Sequence, residues 1–469
     1  MIKTDIQVAE SDQRASSGDA AFAVFEGELR RFIQDSVPVE SGSERSEARE
    51  ARFGRLALRL FSLQHRAVGP LFQLCQRRGI APQDIREWRA IPALPTTAFK
   101  DYAVTSLHLE ARTRVFHSSG TTGHRPSRHF HSAGSLALYE ASLLPFFRAH
   151  LLRGAGQGKG EFTFLALTPS PAEAPHSSLA HMFATVIEAW GADDSAFVGA
   201  VECDGAWRVD TASTIALLRR RARIRRPVCV LGTAFAFVHL LDAMHESCLR
   251  CALPPGSRAL ETGGYKGLSR SVSKPDLHRQ IGAALGIAPT HIVSEYGMSE
   301  LGSQAYDACV PALPSARGVV DQSAHGTTGL AAAPGIETGA RRSGEEDRRL
   351  CAGRSASEPA PERGRVFHFP PWARSVVVSP ENGIEVREGE TGLLRVFDLA
   401  NVRSVLAIQT EDLAVRRGTG FELVGRAARA EPGATRIRWH RFRALNKGFA
   451  RTRFPKAGMA GRRSRPEPR

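Results

Sequence analysis

Six consecutive residues combine hydroxyl groups and glycines at a density that is typical of loops that bind phosphate. Glycines permit tight turns, which direct successive backbone N–H groups and hydroxyls towards one anion. Arg125 and Arg128 follow and add positive charge. The stretch lacks the pattern of a Walker A loop, and a hydroxyl-rich surface turn is the alternative. The six residues are Ser118, Ser119, Gly120, Thr121, Thr122 and Gly123.

A second candidate segment, ETGGYKG, spans residues 261–267. Its paired glycines predict a tight turn at the end of a strand, and Gly264 immediately precedes two side chains with binding chemistry. The ring of Tyr265 can lie against a planar base, and Lys266 can pair with a carboxylate or a phosphate. The alternative is a strand-ending turn with a solvated lysine.

A third segment, SEYGMSEL, spans residues 294–301. Its pattern predicts a strand that ends at Tyr296 and then presents Ser299 and Glu300. A carboxylate in this place can hold Mg²⁺, which offsets the negative charge of a polyphosphate. An ordinary hydroxyl-containing turn before a helix is the alternative.

A fourth segment, IQTEDLAV, spans residues 408–415 and carries Asp412 near the end of a predicted strand. A carboxylate there can accept hydrogen bonds from the hydroxyls of a ribose. An isolated aspartate that caps a helix or stabilises a turn is the alternative.

Short β-branched runs alternate with helical patterns between residues 161 and 297, which predicts an α/β fold with doubly wound, mostly parallel sheets. Ligands of such sheets bind beyond the carboxyl ends of the strands. The second and third segments both follow predicted strands, so we expect them at this edge. The strand-like runs are EFTFLALT, SAFVGAVE, PVCVLG, SRALETGG and HIVSEYG.

The composition along the chain predicts three regions. Residues 1–50 are polar and are expected to be loosely ordered, and residues 51–424 form the large domain. Within that domain, residues 311–364 are rich in Ala, Gly, Pro, Arg and Ser and predict a disordered insertion. Residues 425–469 are expected to comprise a hinge and an atypical basic tail, a truncated or aberrant small domain. Our hypothesis is that the basic tail results from a shifted reading frame. The insertion either has the same origin or is a genuine linker.

The net charge of +15 is concentrated at one end of the 469-residue chain. Residues 432–469 carry twelve lysines and arginines against one acidic residue, so the remainder is near neutrality. A basic tail can bind nucleic acid, but it has few aromatic residues for base stacking, which makes nucleic acid an unfavoured partner. No apolar run is long enough to span a membrane, and seven scattered cysteines do not suggest a disulfide framework. We therefore expect a cytoplasmic protein.

In this order, the four segments resemble the motifs of adenylate-forming enzymes. SSGTTG resembles their ATP loop, EYGMSE their Tyr-Gly-x-Ser/Thr-Glu motif, TED their ribose motif and GRAAR, at 425–429, their hinge. Within that superfamily the sequence is most similar to the acyl-protein synthetases of the LuxE family, the long-chain-fatty-acid–luciferin-component ligases, with phenylacetate–CoA ligases as relatives. The similarity covers about residues 90–310 and 365–431, including IPALPTTAFKDY, GGYKG, PPWAR and DLANVRS.

The resemblance implies a ligase that uses ATP and Mg²⁺. A long-chain fatty acid would attack the α-phosphate of ATP to give an acyl-adenylate, and a thiol would then take the acyl group, as in the fatty acid reduction that supports luminescence. The implied partner is an acyl-donating or acyl-accepting protein, a thioesterase or a reductase. An acyl- or aryl-CoA ligase is the alternative, and an inactive homologue with a basic tail is another.

The resemblance also assigns roles to individual residues. Residues 118–123 would hold the β- and γ-phosphates, and Glu300 would bind Mg²⁺ besides acting in catalysis. Lys266 is our own candidate for a catalytic cation beside the carboxylate or α-phosphate, and Arg128 stands where related enzymes have a lysine after the loop. The other residues implied to bind ATP are Gly264, Tyr265, Tyr296, Asp412 and Arg426. Acyl-protein synthetases carry an acceptor cysteine after the GRAxxAE stretch, whereas this sequence has no cysteine beyond Cys351.

Overall fold

The computed structural model describes residues 2–36, 43–118, 125–156, 158–224, 226–264, 270–311 and 365–426. The α-helices in these ranges are α1 Ile2–Asp35, α2 Ser43–Ala67, α3 Gly69–Arg78, α4 Ala98–Asp101, α5 Ala133–Leu151, α6 Ser178–Trp190, α7 Thr211–Ala222, α8 Ala234–Glu246 and α9 Lys274–Leu285. The strands are β1 Leu94–Pro95, β2 Arg114–His117, β3 Arg128–His131, β4 Thr163–Ala166, β5 Ala196–Phe197, β6 Gly199–Val201, β7 Trp207–Val209, β8 Val228–Thr233, β9 Arg258–Thr262, β10 Ile292–Tyr296, β11 Ala305–Tyr306, β12 Ala373–Val378, β13 Thr391–Asp398, β14 Ala407–Arg417 and β15 Gly420–Arg426.

A six-stranded sheet in the order β11-β10-β9-β8-β4-β5 contains the predicted alternation of strands and helices. Its pairs are parallel except for β11, which runs antiparallel to β10. Alternate residues of each strand face opposite sides of the sheet. Phe164 and Leu231 belong to the core that includes α5 and α6, whereas Leu165 and Val230 belong to the core that includes α8 and α9. Helices therefore cover both faces, which confirms the predicted doubly wound α/β fold.

A second sheet contains β1 and β12–β15 and is mainly antiparallel. Strand β14 pairs with β1, β13 and β15, and β1 is its parallel neighbour through Leu94 opposite Ile408. This sheet carries Asp412 on β14 and brings it towards the carboxyl end of β10. The sequence alternation between 161 and 297 gives no indication of this second sheet, because β12–β15 are joined without intervening helices.

The N-terminal region differs from the loosely ordered segment that its polar composition suggests. Residues 2–35 form α1, and the apolar side chains of its second half lie on one buried face with helical spacing. These residues join the main core, and they are Phe22, Phe25, Leu29, Phe32 and Ile33. Polar residues between them dominate the composition and conceal the periodicity.

Residues 43–78 form two consecutive helices, and the second is closed by Gly79. The first, α2, stops at Ala67, and α3 begins at Gly69 with a proline in its first turn, a position that proline favours. Gly79 closes α3 in the left-handed conformation with φ of 63°, where a residue with a β-carbon is strained.

The predicted insertion and the basic tail lie outside the described residues, apart from Pro311. In the ranges that the structure describes, none of the helices combines the length and the hydropathy required to span a membrane.

Candidate functional site

Three parts of the fold meet at the carboxyl end of β10. The residues after β10, 297–303, lie between the β2–β3 hairpin on one side and β14 on the other. This is the edge at which doubly wound sheets bind ligands. The edge brings five of the predicted site residues into two hydrogen-bonded groups.

The first group joins the two sheets through Tyr296 and Asp412. The hydroxyl of Tyr296 donates to Oδ2 of Asp412 at 2.7 Å, and Nε of Arg426 lies 3.4 Å from Oδ1. Burial, followed by the Asp412 carboxylate, raises the pKa of Tyr296 well above its usual value, so the phenol stays protonated. The ring of Tyr296 packs edge-on against Phe421. The group therefore presents a fixed, negatively charged acceptor at the edge.

The second group lies at the base of the hydroxyl-rich loop. Ser118 and Ser127, which flank the loop, are linked by two hydrogen bonds, one of them from the Ser127 N–H to the Ser118 hydroxyl at 3.0 Å. Ser127 in turn lies 3.5 Å from the Ser299 hydroxyl, which donates to the Glu300 carboxylate at 3.0 Å. The Glu300 side chain is buried. These contacts place the predicted metal ligand close to the start of the predicted phosphate loop.

His129 fixes the Ser299 backbone from β3. The side chain is fully buried, and burial lowers the pKa of His129 to about 4, so the ring is neutral at physiological pH. Its Nδ1 lies 2.9 Å from the carbonyl oxygen of Ser299, which can only accept, so the proton resides on Nδ1. The imidazole thereby holds the loop after β10 against the hairpin.

Asp398 and Asn401 hold the same loop from the second sheet. The buried Asp398 carboxylate accepts hydrogen bonds from the Gly302 N–H, the Ser303 hydroxyl and the Ala400 N–H at 2.8–2.9 Å. Burial raises the pKa of Asp398 to about 6 against the effect of these bonds. The Asn401 amide donates to the Glu300 carbonyl at 3.0 Å. The backbone of Glu300 is thus fixed independently of its carboxylate.

Arg128 lies beside a pair of histidines next to the loop. It is opposite His117 in the β2–β3 pair, and the ring of His117 stacks on that of His176 with centroids 4.5 Å apart. Burial, followed by His176 and Arg128, lowers the pKa of His117. In the described part of the chain, the buried Nε of Arg128 has no hydrogen-bond partner. Three nitrogen-rich side chains therefore surround the first residue of the predicted phosphate loop.

Several predicted site residues lie outside the described ranges. They include the loop residues Ser119, Gly120, Thr121, Thr122 and Gly123, and also Tyr265 and Lys266. The described glycines before Tyr265 are exposed, and Gly263 adopts a φ of 70°, as the predicted turn requires.

Four residues that support the site, Ser127, His129, Asp398 and Asn401, were not predicted from the sequence. For two of them a signal exists, since Ser127, His129 and His131 alternate with half-buried neighbours in SRHFH, which is the pattern of one buried face of a strand. Asp398 and Asn401 act through contacts about a hundred residues away along the chain. No local pattern marks such contacts.

Two glutamates on neighbouring strands have opposite electrostatic environments. Burial raises the pKa of Glu295 on β10 to about 7, and the neighbouring Glu261 carboxylate adds to that shift against a hydrogen bond from Thr262. Burial also opposes the charged form of Glu261 on β9, but Lys274 and hydrogen bonds from His278 and Ser294 lower its pKa to about 2. Glu295 is therefore poised between its neutral and charged forms near neutral pH.

This contrast predicts opposite pH dependences of stability. Between pH 4.5 and about 7 the folded chain keeps a proton on Glu295 that the unfolded chain releases, so this contribution to stability falls as pH rises. Glu295→Gln is expected to gain stability relative to the wild type across that window, by at most about 3 kcal/mol. Urea unfolding at several pH values measures the difference.

Glu261→Gln is the matched control. Its carboxylate stabilises the fold above the unfolded pKa of 4.5, and that contribution disappears only as the pH falls towards 2. The Glu261→Gln variant is therefore expected to be less stable than the wild type by a constant amount above about pH 5. If the difference in stability between Glu295→Gln and the wild type does not change with pH over the same range, the pKa of Glu295 is not raised.

Comparison with known proteins gives no sequence match but a clear structural one. No family model and no curated protein matches the sequence. The structure is similar to that of 2-hydroxyisobutyryl-CoA ligase in complex with 2-HIB-AMP and CoA in the thioesterification state, with 13% identity and a TM-score of 0.53 over 82% of this chain and 69% of that chain. The open conformation of that ligase gives 12% identity and a TM-score of 0.51 over 80% and 69%.

The same ligase in its postadenylation state, in complex with 2-HIB-AMP, is similar at 13% identity and a TM-score of 0.51 over 80% of this chain and 68% of that chain. At these identities the likeness establishes the fold. The chain therefore has the α/β fold of adenylate-forming ligases.

Proposed function

We propose that this chain is an ATP-dependent acid–thiol ligase. It activates a carboxylic acid as an acyl-adenylate, with release of pyrophosphate, and transfers the acyl group to a thiol. The observation that carries the proposal is the convergence of Ser118, Glu300, Tyr296 and Asp412, from three separate parts of the chain, at the ligand edge of this fold. The four residues come from the motifs that resemble those of adenylate-forming enzymes.

The chemistry of the converging groups suits the two anionic substrates. The loop that starts at Ser118 supplies hydroxyls and N–H groups for the triphosphate, and Asp412 is an acceptor for the ribose hydroxyls. Arg128 and Lys266 are the proposed cations that reduce the repulsion between the carboxylate and the α-phosphate. Alignment of the carboxylate with the phosphorus, together with these charges, lowers the barrier for attack.

Glu300 fits the proposed magnesium ion. Mg²⁺ is usually held by one or two carboxylates together with phosphate oxygens and water rather than by a full protein cage. The Glu300 carboxylate is buried, is oriented by Ser299 and is adjacent to the proposed phosphate loop. Within the described residues there is no group of three or more His, Cys, Asp or Glu side chains for a metal ion. When bound, Mg²⁺ offsets the charge of the phosphates.

The proposed acid is a long-chain fatty acid, and the proposed acceptor is a protein thiol. Both follow from the resemblance of GGYKG and DLANVRS to the acyl-protein synthetases, with a thioesterase or a reductase as partner. Transfer to coenzyme A is the second candidate, because the ligase with the similar fold was solved with CoA and this sequence lacks a cysteine beyond residue 351.

Exchange of pyrophosphate into ATP, measured against a panel of carboxylic acids, tests the proposal. We expect exchange that depends on the acid, requires Mg²⁺ and needs no thiol, because adenylation precedes transfer. Addition of CoA alone, or of a partner protein, then distinguishes the acceptors: formation of acyl-CoA without any partner would favour the second candidate. Absence of exchange with every acid would refute the proposed function.

A further inference from the structure

A cluster of buried polar side chains lies behind the strand end that carries Tyr296. It comprises His131 on β3, Tyr139 on α5, Glu295 on β10 and Tyr306 on β11, with Gln304 just before β11. We call these five residues the buried polar cluster. None of them takes part in the hydrogen bonds that join Ser118, Glu300 and Asp412.

The members of the cluster are held by strand pairing and by hydrogen bonds. Tyr306 is directly opposite Glu295 in the β10–β11 pair, so both side chains point to the same face of the sheet. On that face, Thr262 donates a hydrogen bond to the Glu295 carboxyl. Gln304 donates to the hydroxyl of Tyr139 at 3.2 Å. The ring of His131 lies 6.3 Å, centroid to centroid, from that of Tyr139. Burial, and after it the Glu295 carboxyl, raises the pKa of both Tyr139 and Tyr306.

Two polar atoms of the cluster are unsatisfied. The hydroxyl of Tyr306 and Nε2 of His131 are buried, and neither has a hydrogen-bond partner in the part of the chain that the structure describes. Tyr306 is 1% exposed and His131 is 4% exposed. Buried polar groups in folded proteins are nearly always paired, so an unpaired hydroxyl at a ligand-binding edge indicates a partner that arrives with the ligand.

The cluster is adjacent to the proposed site of adenylation. The Glu295 carboxyl folds back beneath the turn that follows Tyr296, so closely that a β-carbon on Gly297 would lie within 2.2 Å of Oε1. The ring of His131 lies 4.3 Å, centroid to centroid, from that of His129, which holds the loop of Ser299. The cluster therefore lies directly behind the turn that leads to Ser299 and Glu300.

We propose that the buried polar cluster recognises a hydroxyl group close to the carboxyl end of the acyl substrate. This inference rests on the proposed adenylation and narrows the substrate to a hydroxylated acid. A hydroxyl both donates and accepts, and it can therefore pair with the Tyr306 phenol or with the neutral His131 ring. An unsubstituted alkyl chain leaves both polar groups buried and unpaired. The reaction of an unsubstituted acid is therefore strongly disfavoured.

An ammonium group fits the cluster less well than a hydroxyl does. Burial holds the pKa of Glu295 at about 7, so its charge is incomplete at neutral pH. The phenol of Tyr306 and Nε2 of His131 can accept from an ammonium, but they supply no negative charge to balance it. An amino acid substrate is therefore an outcome that contradicts the proposal.

The test compares acids of equal chain length that carry a 2-hydroxyl, a 3-hydroxyl, an amino group or no substituent. Pyrophosphate exchange with the full-length protein is expected to give a kcat/KM for a hydroxy acid at least about 10-fold above that for the unsubstituted acid. In Tyr306→Phe this ratio is expected to fall to about 1. The substitution removes one oxygen and keeps the ring that packs against Phe146 and His150.

Tyr102→Phe, the same chemical change outside the cluster, is expected to keep the preference of the wild type. The thermal midpoint of Tyr306→Phe shows whether the variant is folded, and binding of the hydroxy acid by calorimetry gives a second readout. An unsubstituted or an amino acid that reacts as well as the hydroxy acids overturns this inference while adenylation stands. The same ratio in Tyr306→Phe as in the wild type also overturns it. Absence of exchange with every acid overturns both proposals.

Discussion

Asp412→Ala is expected to reduce kcat/KM for ATP in pyrophosphate exchange by about 100-fold or more. The carboxylate is buried, lies at the ligand edge and is oriented by Tyr296 at 2.7 Å. Hydrogen bonds to a charged acceptor contribute about 1.5–3 kcal/mol each, and two ribose hydroxyls would lose theirs. Because the ribose is bound in both the ground state and the transition state, most of the loss should appear in KM for ATP.

Glu411→Gln is the matched control, since Glu411 is the adjacent residue of β14 and its side chain is exposed. Its kinetics are expected to equal those of the wild type. Tyr296→Phe removes only the donor to Asp412 and is expected to cause a smaller loss, on the order of 10-fold. An Asp412→Ala variant that folds and binds ATP as the wild type does would exclude Asp412 as the ribose acceptor.

Glu300→Gln is expected to lower kcat for exchange by about 100-fold or more and to raise the Mg²⁺ concentration needed for half-maximal rate. Glutamine keeps the shape and the acceptor for Ser299 but loses the charge that Mg²⁺ requires. A metal ion that stabilises the charge developing at the phosphates lowers the barrier by several kcal/mol. A magnesium titration of the exchange rate measures both effects.

Two further variants distinguish the effect of the Glu300 charge from the effect of the hydrogen bond that orients its carboxylate. Ser299→Ala removes the hydroxyl that orients the carboxylate, and we expect a reduction of only about 10-fold, equivalent to one hydrogen bond to a charged acceptor. Glu381→Gln changes an exposed carboxylate far along the chain and should leave the rate unchanged. If Glu300→Gln exchanges at the wild-type rate at all magnesium concentrations, Glu300 does not bind the metal.

The sequence predicts the parallel part of the fold well because the signals are local. The parallel strands β4, β8, β9 and β10 each contain a short apolar run, and Gly79 and Gly286 close their helices in the left-handed conformation. The hydroxyl-rich loop and Glu300 are recognisable because polar residues follow strands, whereas Asp412, which was predicted near a strand end, lies within β14. The rule that ligands bind at carboxyl ends then groups the segments after β9 and β10 before any contact is known.

The supporting residues of the site escape prediction because their contacts are distant in sequence. Asp398 holds Gly302, and Asn401 holds the backbone of Glu300, each across about a hundred residues. The buried polar cluster is similarly invisible, since Tyr306 faces Glu295 only because β11 reverses direction beside β10. Polar composition also conceals the buried face of α1, where apolar residues recur at helical spacing among charged ones.

The long-range contacts of Gln64 on α2 indicate the order in which the parts of the site form. Its buried side-chain amide donates to the carbonyls of Asn401 and Val402 and accepts from Leu406, across 337 residues in the first case. Arg403 is paired with Glu26 across a still longer separation. Contacts between distant parts of a chain form late, because the intervening loop must close first. We therefore expect a growing chain to complete its parallel sheet before β14 is made, and Asp412 and the support of the Glu300 backbone to be in place only after β14 has packed against the N-terminal helices.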